Sequence, residues 1–245
     1  MGVNFSEKSV LVTGAGGSIG RVLVNSLIKN GATVYAVDSN DKSLKDLEAE
    51  TGGDEKLRTI LSDLQSDAVC KNVVKDIPKL HGLVHLAGIF EPDEMIVGDT
   101  EAVFDPTIQA NLRNIYSLFI ACKPLLLRSD CSRVILTSSI AFNRGAYLHT
   151  AYSAAKGGVV GFMRSLARRE APRILVNAVA PGIIDSPMPA DMIAKRGIEN
   201  VLAQIPLGRL GRASEISGVI EFLLGPSASY VTGQVINADG GLSNN

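Results

Sequence analysis

Seven short apolar runs punctuate the chain at intervals that leave room for a helix between most neighbours: SVLVT (9–13), ATVYAV (32–37), LRTILS (57–62), GLVHLA (82–87), SRVILTS (132–138), RILVNAVA (173–180) and QVINA (234–238). The first six are rich in Val, Ile and Leu and do not alternate strictly with polar residues, as expected of strands buried on both faces of a parallel sheet. Amphipathic stretches with helical periodicity lie between them, at roughly 19–30, 40–50, 66–77, 101–128, 151–170 and 213–224. Strand–helix alternation of this kind predicts an α/β fold: a doubly wound parallel sheet of about seven strands with helices on both faces. No linker divides the 245 residues, so a single domain, 1–245, is expected.

One segment, about 183–212, breaks the rhythm with Pro187, Pro189, Gly197, Pro206, Gly208 and Gly211. It follows the sixth strand, on the side where ligands approach such sheets. It reads as a substrate-covering loop with a short helix, or else as a plain surface excursion.

The first strand runs into TGAGGSIG, Thr13 to Gly20, which leads directly into a helical pattern. Glycines at a strand-to-helix turn permit positive φ and close backbone approach, and the helix N-terminus behind them presents free N–H groups to a pyrophosphate. The next apolar run ends in Asp38, eighteen places after Gly20. An acid there accepts hydrogen bonds from both adenosine ribose hydroxyls and repels a 2′-phosphate. Positions 15–18 and 39–40 supply Ala, Gly, Gly, Ser, Ser and Asn, with no cation for such a phosphate. NAD is therefore favoured over NADP. Against this stand the nearby Arg21 and Lys42, and the alternative that Asp38 caps the helix starting near Asn40. Strand, glycine turn, helix and ribose acid together describe a Rossmann-type nucleotide-binding unit.

Composition narrows the partners. Hydrophobic residues make up 46% of the chain, enough for a large core, yet no run of about 18 apolar residues appears, so no membrane span is expected. The net charge of −1, with signs interleaved, calls for neither nucleic acid nor a membrane surface. The three cysteines, Cys70, Cys122 and Cys131, form no C-x-x-C pair and read as reduced, cytosolic thiols; no metal site is expected. The start MGVNFSEKSV lacks the pattern of a secretory leader. It does fit the myristoylation pattern M-G-x-x-x-[ST], without a basic patch to supply a second anchor.

TAYSAAKGG, 150–158, places Tyr152 and Lys156 four residues apart and thus on one helix face. A free phenol, with a pKa of about 10, is a poor base near neutrality, and a neighbouring ammonium favours its ionised form. Such a pair suits proton exchange with an alcohol or carbonyl oxygen. Ser139, at the end of SRVILTS and thirteen residues before Tyr152, puts a hydroxyl at a strand's carboxyl end, facing the ligand crevice.

With these residues in hand, the whole chain resembles the short-chain dehydrogenase/reductase family. TGAGGSIG, SDL, HLAG, QANL, TSS, AYSAAK, NAVAPGIIDSPM and VTGQVINADGG occur in the family's order over nearly the full length. The resemblance implies an oxidoreductase acting on CH–OH groups with a nicotinamide dinucleotide. Tyr152 resembles the proton donor and acceptor, and Ser139 the residue that holds the substrate oxygen, with Ser138 as its alternative. Lys156 resembles the residue that contacts the nicotinamide ribose and tunes the tyrosine, and Asn111 the one supporting a water relay behind the lysine. On the cofactor side the resemblance implies Gly14, Gly17, Ser18, Ile19 and Gly20 at the pyrophosphate, Asp38 at the ribose, and Asp63 and Leu64 at the adenine. It adds Ala87 and Gly88 after the fourth strand, Pro181, Gly182, Ile184 and Ser186 on the nicotinamide side, and Tyr152 and Lys156 themselves.

Two departures are visible. The short branch of the family has T-G-x-x-x-G-x-G, which would place glycine at 18 where Ser18 stands; Gly14, Gly17 and Gly20 instead follow T-G-x-x-G-x-x-G of the larger, epimerase-containing branch. HLAG replaces N-N-A-G and leans the same way. The chain length and the ending GQVINADGG belong to the short branch. Among its members the resemblance is to 3-oxoacyl-(acyl-carrier-protein) reductases, which commonly use NADPH, in tension with Asp38. The candidate substrates are a 3-oxoacyl thioester, or a polyol, sugar or other secondary alcohol, with Phe90, Phe142, His149 and Met188 as pocket candidates. Arg144, Arg164, Arg168 and Arg169 are candidate cations for an acyl carrier. A nucleotide-sensing or scaffold protein without turnover is the alternative class. The resemblance further implies a cytoplasmic homodimer or homotetramer.

Overall fold

The computed structural model describes residues 4–243, and Gly2 of the myristoylation pattern lies outside them. Seven parallel strands form one sheet in the order β3-β2-β1-β4-β5-β6-β7. They are β1 (Ser9–Thr13), β2 (Thr33–Asp38), β3 (Leu57–Leu61), β4 (Gly82–His85), β5 (Ser132–Thr137), β6 (Ile174–Pro181) and β7 (Val235–Ala238). Each falls within or against one of the apolar runs, and the strand order reverses between β1 and β4. That reversal is the switch point at which open α/β sheets leave a crevice beyond their carboxyl ends.

Helices α1 (Ser18–Lys29), α2 (Asp41–Glu50) and α3 (Asp67–Val74) fill the first three crossovers. Asn40 and Ser66 cap α2 and α3 by accepting from the N–H groups of Ser43 and Val69. The long stretch expected at 101–128 is helical but not uniform. A π turn over Thr100–Phe104, the short α4 (Asp105–Ile108), a second π turn over Gln109–Arg113 and α5 (Asn114–Leu126) follow one another without a break. After β5 come α6 (Ala141–Arg144) and the 21-residue α7 (Thr150–Glu170). After β6 come α8 (Ala190–Arg196), α9 (Ile198–Leu202) and α10 (Ala213–Leu224).

Successive strand residues serve opposite faces. In β1, Leu11 joins Cys70, Leu118, Cys122 and Met163 on the α3–α5–α7 side. Val10 and Val12 join Leu23, Leu27, Ile216 and Ile220 on the α1–α10 side. The near-continuous apolar runs are thus two half-occupied stripes read as one. At roughly 1.5–3 kcal/mol for each fully buried large aliphatic side chain, this two-sided core dominates the folding free energy.

The 183–212 segment is internally structured. It holds two short helices rather than one, and its Val201 and Ile205 form a small core with Leu242 of the C-terminal turn, with Ile183, Ile193 and Leu210 against them. Its two ends are joined by a parallel bridge between Ile184 and Gly211.

Candidate active site

The expected functional residues gather where the strands end. Gly14 takes φ +63° directly after β1, and a Cβ there would lie 2.8 Å from the Ala87 nitrogen. The glycine turn and the β4 exit are therefore packed against each other, and a side chain at 14 would force them apart. Gly17 occupies the N-cap of α1 with no side chain to cap it. Its N–H donates to Gly14 O at 3.1 Å and its carbonyl accepts from Arg21 N–H at 2.9 Å. Among the described residues the intervening N–H groups of Ser18, Ile19 and Gly20 find no acceptor. These are the orphan donors of a helix N-terminus, the groups an anion can satisfy. Placing Ser18 where a glycine was expected does not disturb this, because α1 begins at Ser18 with ordinary helical geometry.

Asp38 ends β2, half-buried. One carboxylate oxygen accepts from Gly16 N–H at 2.9 Å and the other from Asn40 N–H at 3.0 Å. Asn40 itself performs the capping of α2. Asp38 thus braces the glycine turn against the β2 exit. Arg21, a possible phosphate ligand, is engaged with Glu50 at 2.5 Å. Asp63 is exposed beyond β3, where its carboxylate accepts from Gln65 Nε2 at 2.6 Å. Leu64 instead turns its side chain into the core.

The second half of the site is built on β4, β5 and α7. Ser138 is buried, and its hydroxyl donates to the Lys156 carbonyl at 2.9 Å. Its role is to tie β5 to α7, which leaves Ser139 as the hydroxyl beside Tyr152. Ser139 Oγ accepts from Ala141 N–H at 3.2 Å and lies close enough to the phenol to favour its ionisation. Tyr152 is 8% exposed. Burial is the larger influence and pushes the phenol up to about 12. Lys156 is buried too, and burial brings its ammonium down to about 8. Its Nζ donates to Thr137 O at 2.9 Å and sits 5.4 Å from the Tyr152 ring centroid. The lowering expected from the ammonium does not prevail in this arrangement. The cation faces the ring and a backbone carbonyl, and desolvation outweighs it.

Asn111 is fully buried inside the second π turn. Its Nδ2 donates to Ile89 O at 3.0 Å and Thr107 O at 2.9 Å, while its Oδ1 has no partner. Gly88 makes room for it: a Cβ there would fall 2.4 Å from Asn111 Oδ1 and 3.6 Å from Lys156 Nζ. Across the crevice, Gly182 N–H donates to Ala238 O at 3.0 Å, and Pro181 O accepts from Ile140 N–H at 3.3 Å. Ile184 is buried against Gly211, and Ser186 Oγ reaches Ile184 O at 3.4 Å.

Of the pocket candidates, Phe90 stacks on His149 with centroids 3.7 Å apart and stands edge-on to Tyr152 at 4.8 Å. Phe142 is half-buried on α6 and Met188 is exposed in the 183–212 segment. Arg144 is tied to the C-terminal turn through Leu242 O at 2.8 Å.

Two residues near the site escaped the sequence reading. His85, buried at the end of β4, is brought down to about 3 by burial and then by the Lys156 charge, and its Nε2 has no partner. The replacement of asparagine in HLAG was its one signal. Asp93 is buried in the β4–α4 connection. An acid within EPDE reads as a solvated loop residue, and nothing in the sequence marks it.

This assembly of a parallel sheet, a glycine turn at the switch point and a hydroxyl–phenol–ammonium group at the strand ends has close parallels among known proteins. A family model described as "Enoyl-(Acyl carrier protein) reductase" matches residues 14–243. The chain belongs to the short-chain dehydrogenase/reductase family of oxidoreductases, whose members act on CH–OH or ketone groups with NAD(P). Among individual relatives, it is 35% identical to the 3-oxoacyl-(acyl-carrier-protein) reductase FabG of Thermotoga maritima over 241 residues, 96% of this chain and 97% of that one. It is 32% identical to the Salmonella typhimurium protein of the same name over 243 residues, 98% and 99% of the two chains. A Brucella melitensis short-chain dehydrogenase/reductase titled glucose/ribitol dehydrogenase superposes with a TM-score of 0.93 at 33% identity, covering 100% of both chains. Levodione reductase superposes at 0.90 and 30% identity, covering 97% and 98%.

Proposed function

We propose that this protein is an NAD(H)-dependent oxidoreductase that interconverts a ketone and a secondary alcohol through Ser139, Tyr152 and Lys156, with a 3-oxoacyl thioester as its substrate class. The observation that carries the reading is the burial of a phenol and an ammonium side by side in the first turns of α7, with the ammonium bonded to Thr137 O at the carboxyl end of β5. A nucleotide-sensing protein without turnover has no need to desolvate such a pair.

The site fits the dinucleotide. The Ser18, Ile19 and Gly20 N–H groups are free to hold its pyrophosphate, Asp38 is assigned to the ribose, Asp63 and Leu64 to the adenine, and Ala87 and Gly88 line the β4 exit between the glycine turn and Lys156. Pro181, Gly182, Ile184 and Ser186 border the nicotinamide side. Asp38 and the engagement of Arg21 with Glu50 support NAD over NADP. A Pseudomonas aeruginosa relative, RhlG, at 27% identity is titled as a complex with NADP, so the choice rests on these residues rather than on kinship.

When bound, the nicotinamide group supplies or accepts the hydride. In reduction Tyr152 gives its proton to the carbonyl oxygen while Ser139 holds that oxygen. A phenol at about 12 is protonated at neutral pH and ready to donate. Lys156, charged below about 8, stabilises the phenolate left behind. Asn111 presents an unpartnered buried oxygen near Lys156, where a water could return the proton.

An acyl chain fits the surroundings better than a polyol. The segments leaving the sheet's carboxyl end expose Met95, Ile96, Val97, Tyr147, Leu148 and Met188, and Phe90 walls the Tyr152 side. The Brucella glucose/ribitol dehydrogenase and levodione reductase keep a sugar, a polyol or a levodione-like ketone as the second reading. The 183–212 segment is the substrate cover. Exposed Tyr116 and Ile120 on α5, beside Phe162 of α7, are the proposed contact face of a cytoplasmic homodimer or homotetramer.

The test is turnover of acetoacetyl-coenzyme A with NADH and NADPH, followed by cofactor absorbance, in wild type and Tyr152→Phe. Wild-type rates in the variant would sink the catalytic assignment. Activity confined to sugars, polyols or levodione-like ketones would move the substrate class alone.

A further inference from the structure

We propose that Asp93 is a positioning residue for Tyr152, acting as a detached N-cap for α7; this rests on the catalytic reading above. Helix α7 starts at Thr150, and its N-cap residue, His149, makes no capping hydrogen bond. The imidazole of His149 instead stacks on Phe90, with Nδ1 2.8 Å from Tyr147 O. The first N–H groups of α7 would then be orphaned, that of Ala151 in a buried place. Asp93, 57 residues earlier in the chain, satisfies them: its Oδ2 accepts from Thr150 N–H at 2.5 Å and from Ala151 N–H at 3.1 Å.

A third bond completes the clasp. Asp93 N–H donates to Leu148 O at 2.8 Å. Leu148 holds φ +61°, a conformation non-glycine residues rarely take and keep only where their surroundings impose it. Asp93 thus grips the chain on both sides of His149, fixing the ring that Phe90 covers. Tyr152 is the third residue of α7 and meets the edge of the same Phe90 ring at 4.8 Å. A shift of the helix start carries the phenol with it.

Burial and charge agree with this role. Asp93 is 5% exposed, and its other oxygen, Oδ1, is buried without a partner. A carboxylate kept there in spite of that loss is held by the α7 N-terminus, whose partial positive charge favours an anion.

The test uses full-length protein with acetoacetyl-coenzyme A and reduced cofactor, protiated or deuterated at the transferred position. Nucleotide affinity is titrated separately. Asp93→Ala should lower kcat about 10- to 100-fold, the scale of an ångström-sized misplacement. The hydrogen isotope effect on kcat should rise and nucleotide affinity stay within about threefold. Asp93→Asn, which keeps a carbonyl oxygen for both N–H groups, should restore most of kcat. Should Asp93→Ala fail to fold, Asp93→Glu serves: its extra methylene displaces the helix start, and kcat should fall with a raised isotope effect. Unchanged kcat and isotope effect in whichever of these two variants folds, while Tyr152→Phe is inactive, overturn the positioning role and leave the catalytic reading standing. Full activity in Tyr152→Phe overturns the catalytic reading, and this inference with it.

Discussion

Lys156 lies over the Tyr152 ring, its Nζ 5.4 Å from the centroid, and directs its hydrogen bond to Thr137 O at 2.9 Å rather than to the phenol. Burial has brought that ammonium down to about 8. An unfolded lysine keeps its proton up to about 10.4. Between those values the unfolded chain binds the extra proton, so stability rises with pH there, and below 8 the buried charge is a constant cost. Lys156→Met should therefore abolish turnover by 100-fold or more. It should leave the melting temperature at pH 7 unchanged or higher, the gain bounded by roughly 3 kcal/mol. Calorimetry at pH 7 beside steady-state rates checks both halves; a melting temperature lowered by many degrees would contradict the buried-charge argument. The wild-type reduction rate should also decline as pH rises through about 8.

Asp38 touches two loops at once, through Gly16 N–H at 2.9 Å and Asn40 N–H at 3.0 Å. Asp38→Ala removes both braces and the proposed ribose acceptor together. NAD affinity should fall about 10- to 100-fold, as expected for charge-assisted hydrogen bonds of about 1.5–3 kcal/mol. Affinity for NADP should fall less or improve, because a repelling charge has gone. Equilibrium titration with both dinucleotides decides it, and an unchanged NAD/NADP ratio would remove Asp38 from cofactor selection.

The strands were legible because their runs, from SVLVT to QVINA, serve two faces at once, and the doubly wound order follows from alternation with helices. The Ser139, Tyr152 and Lys156 spacings likewise map onto one strand end and one helix face. What was not legible depends on contacts between distant segments. The π turn around Asn111 leaves no mark on an amphipathic pattern. The small core of Val201, Ile205 and Leu242 joins the 183–212 segment to the C-terminal turn. The protonated state of Tyr152 reflects burial depth, which a Tyr-x-x-x-Lys spacing does not encode.

One buried and one half-buried histidine make the fold acid-sensitive. His81 accepts from Ser9 N–H through Nδ1 at 3.0 Å. Burial, then Lys8 and Lys79, bring it down to about 4, with Asp130 opposing. His85 is brought down to about 3. Above about pH 6.5 both are neutral in either state. As pH falls below that, the unfolded chain takes up protons that the folded one refuses until about 4 and 3. Stability is thus present above 6.5 and drains away toward acid. At pH 5, His85 alone should account for about 2 kcal/mol of loss; the more exposed His81 adds less. Urea unfolding of His85→Asn across pH 5–7.5 should show a visibly flatter dependence than wild type. Superimposable curves would mean that His85 titrates alike in both states.

Gly20 gives the sharpest test of the phosphate turn, because two rules pull in opposite directions. Inside a helix, alanine is about 1 kcal/mol more favourable than glycine. A Cβ at Gly20, however, would lie 2.1 Å from Gly14 O and 2.8 Å from Ala15 Cα, both backbone. Those atoms cannot yield by rotating a side chain, and Gly14 is itself packed so closely against the β4 exit that even a Cβ there would lie 2.8 Å from the Ala87 nitrogen. Gly20→Ala should therefore destabilise the protein and abolish dinucleotide binding. Gly161→Ala, in α7, meets nothing within 4 Å and should stabilise by up to about 1 kcal/mol with binding intact. Gly17→Ala, whose Cβ would meet only Gly14 O at 3.3 Å, should fall between the two. Melting temperatures and NADH titrations on the three variants give the order. If Gly20→Ala bound nucleotide as wild type does, the turn would not be packed between α1 and β4, and the placing of the pyrophosphate there would lose its basis.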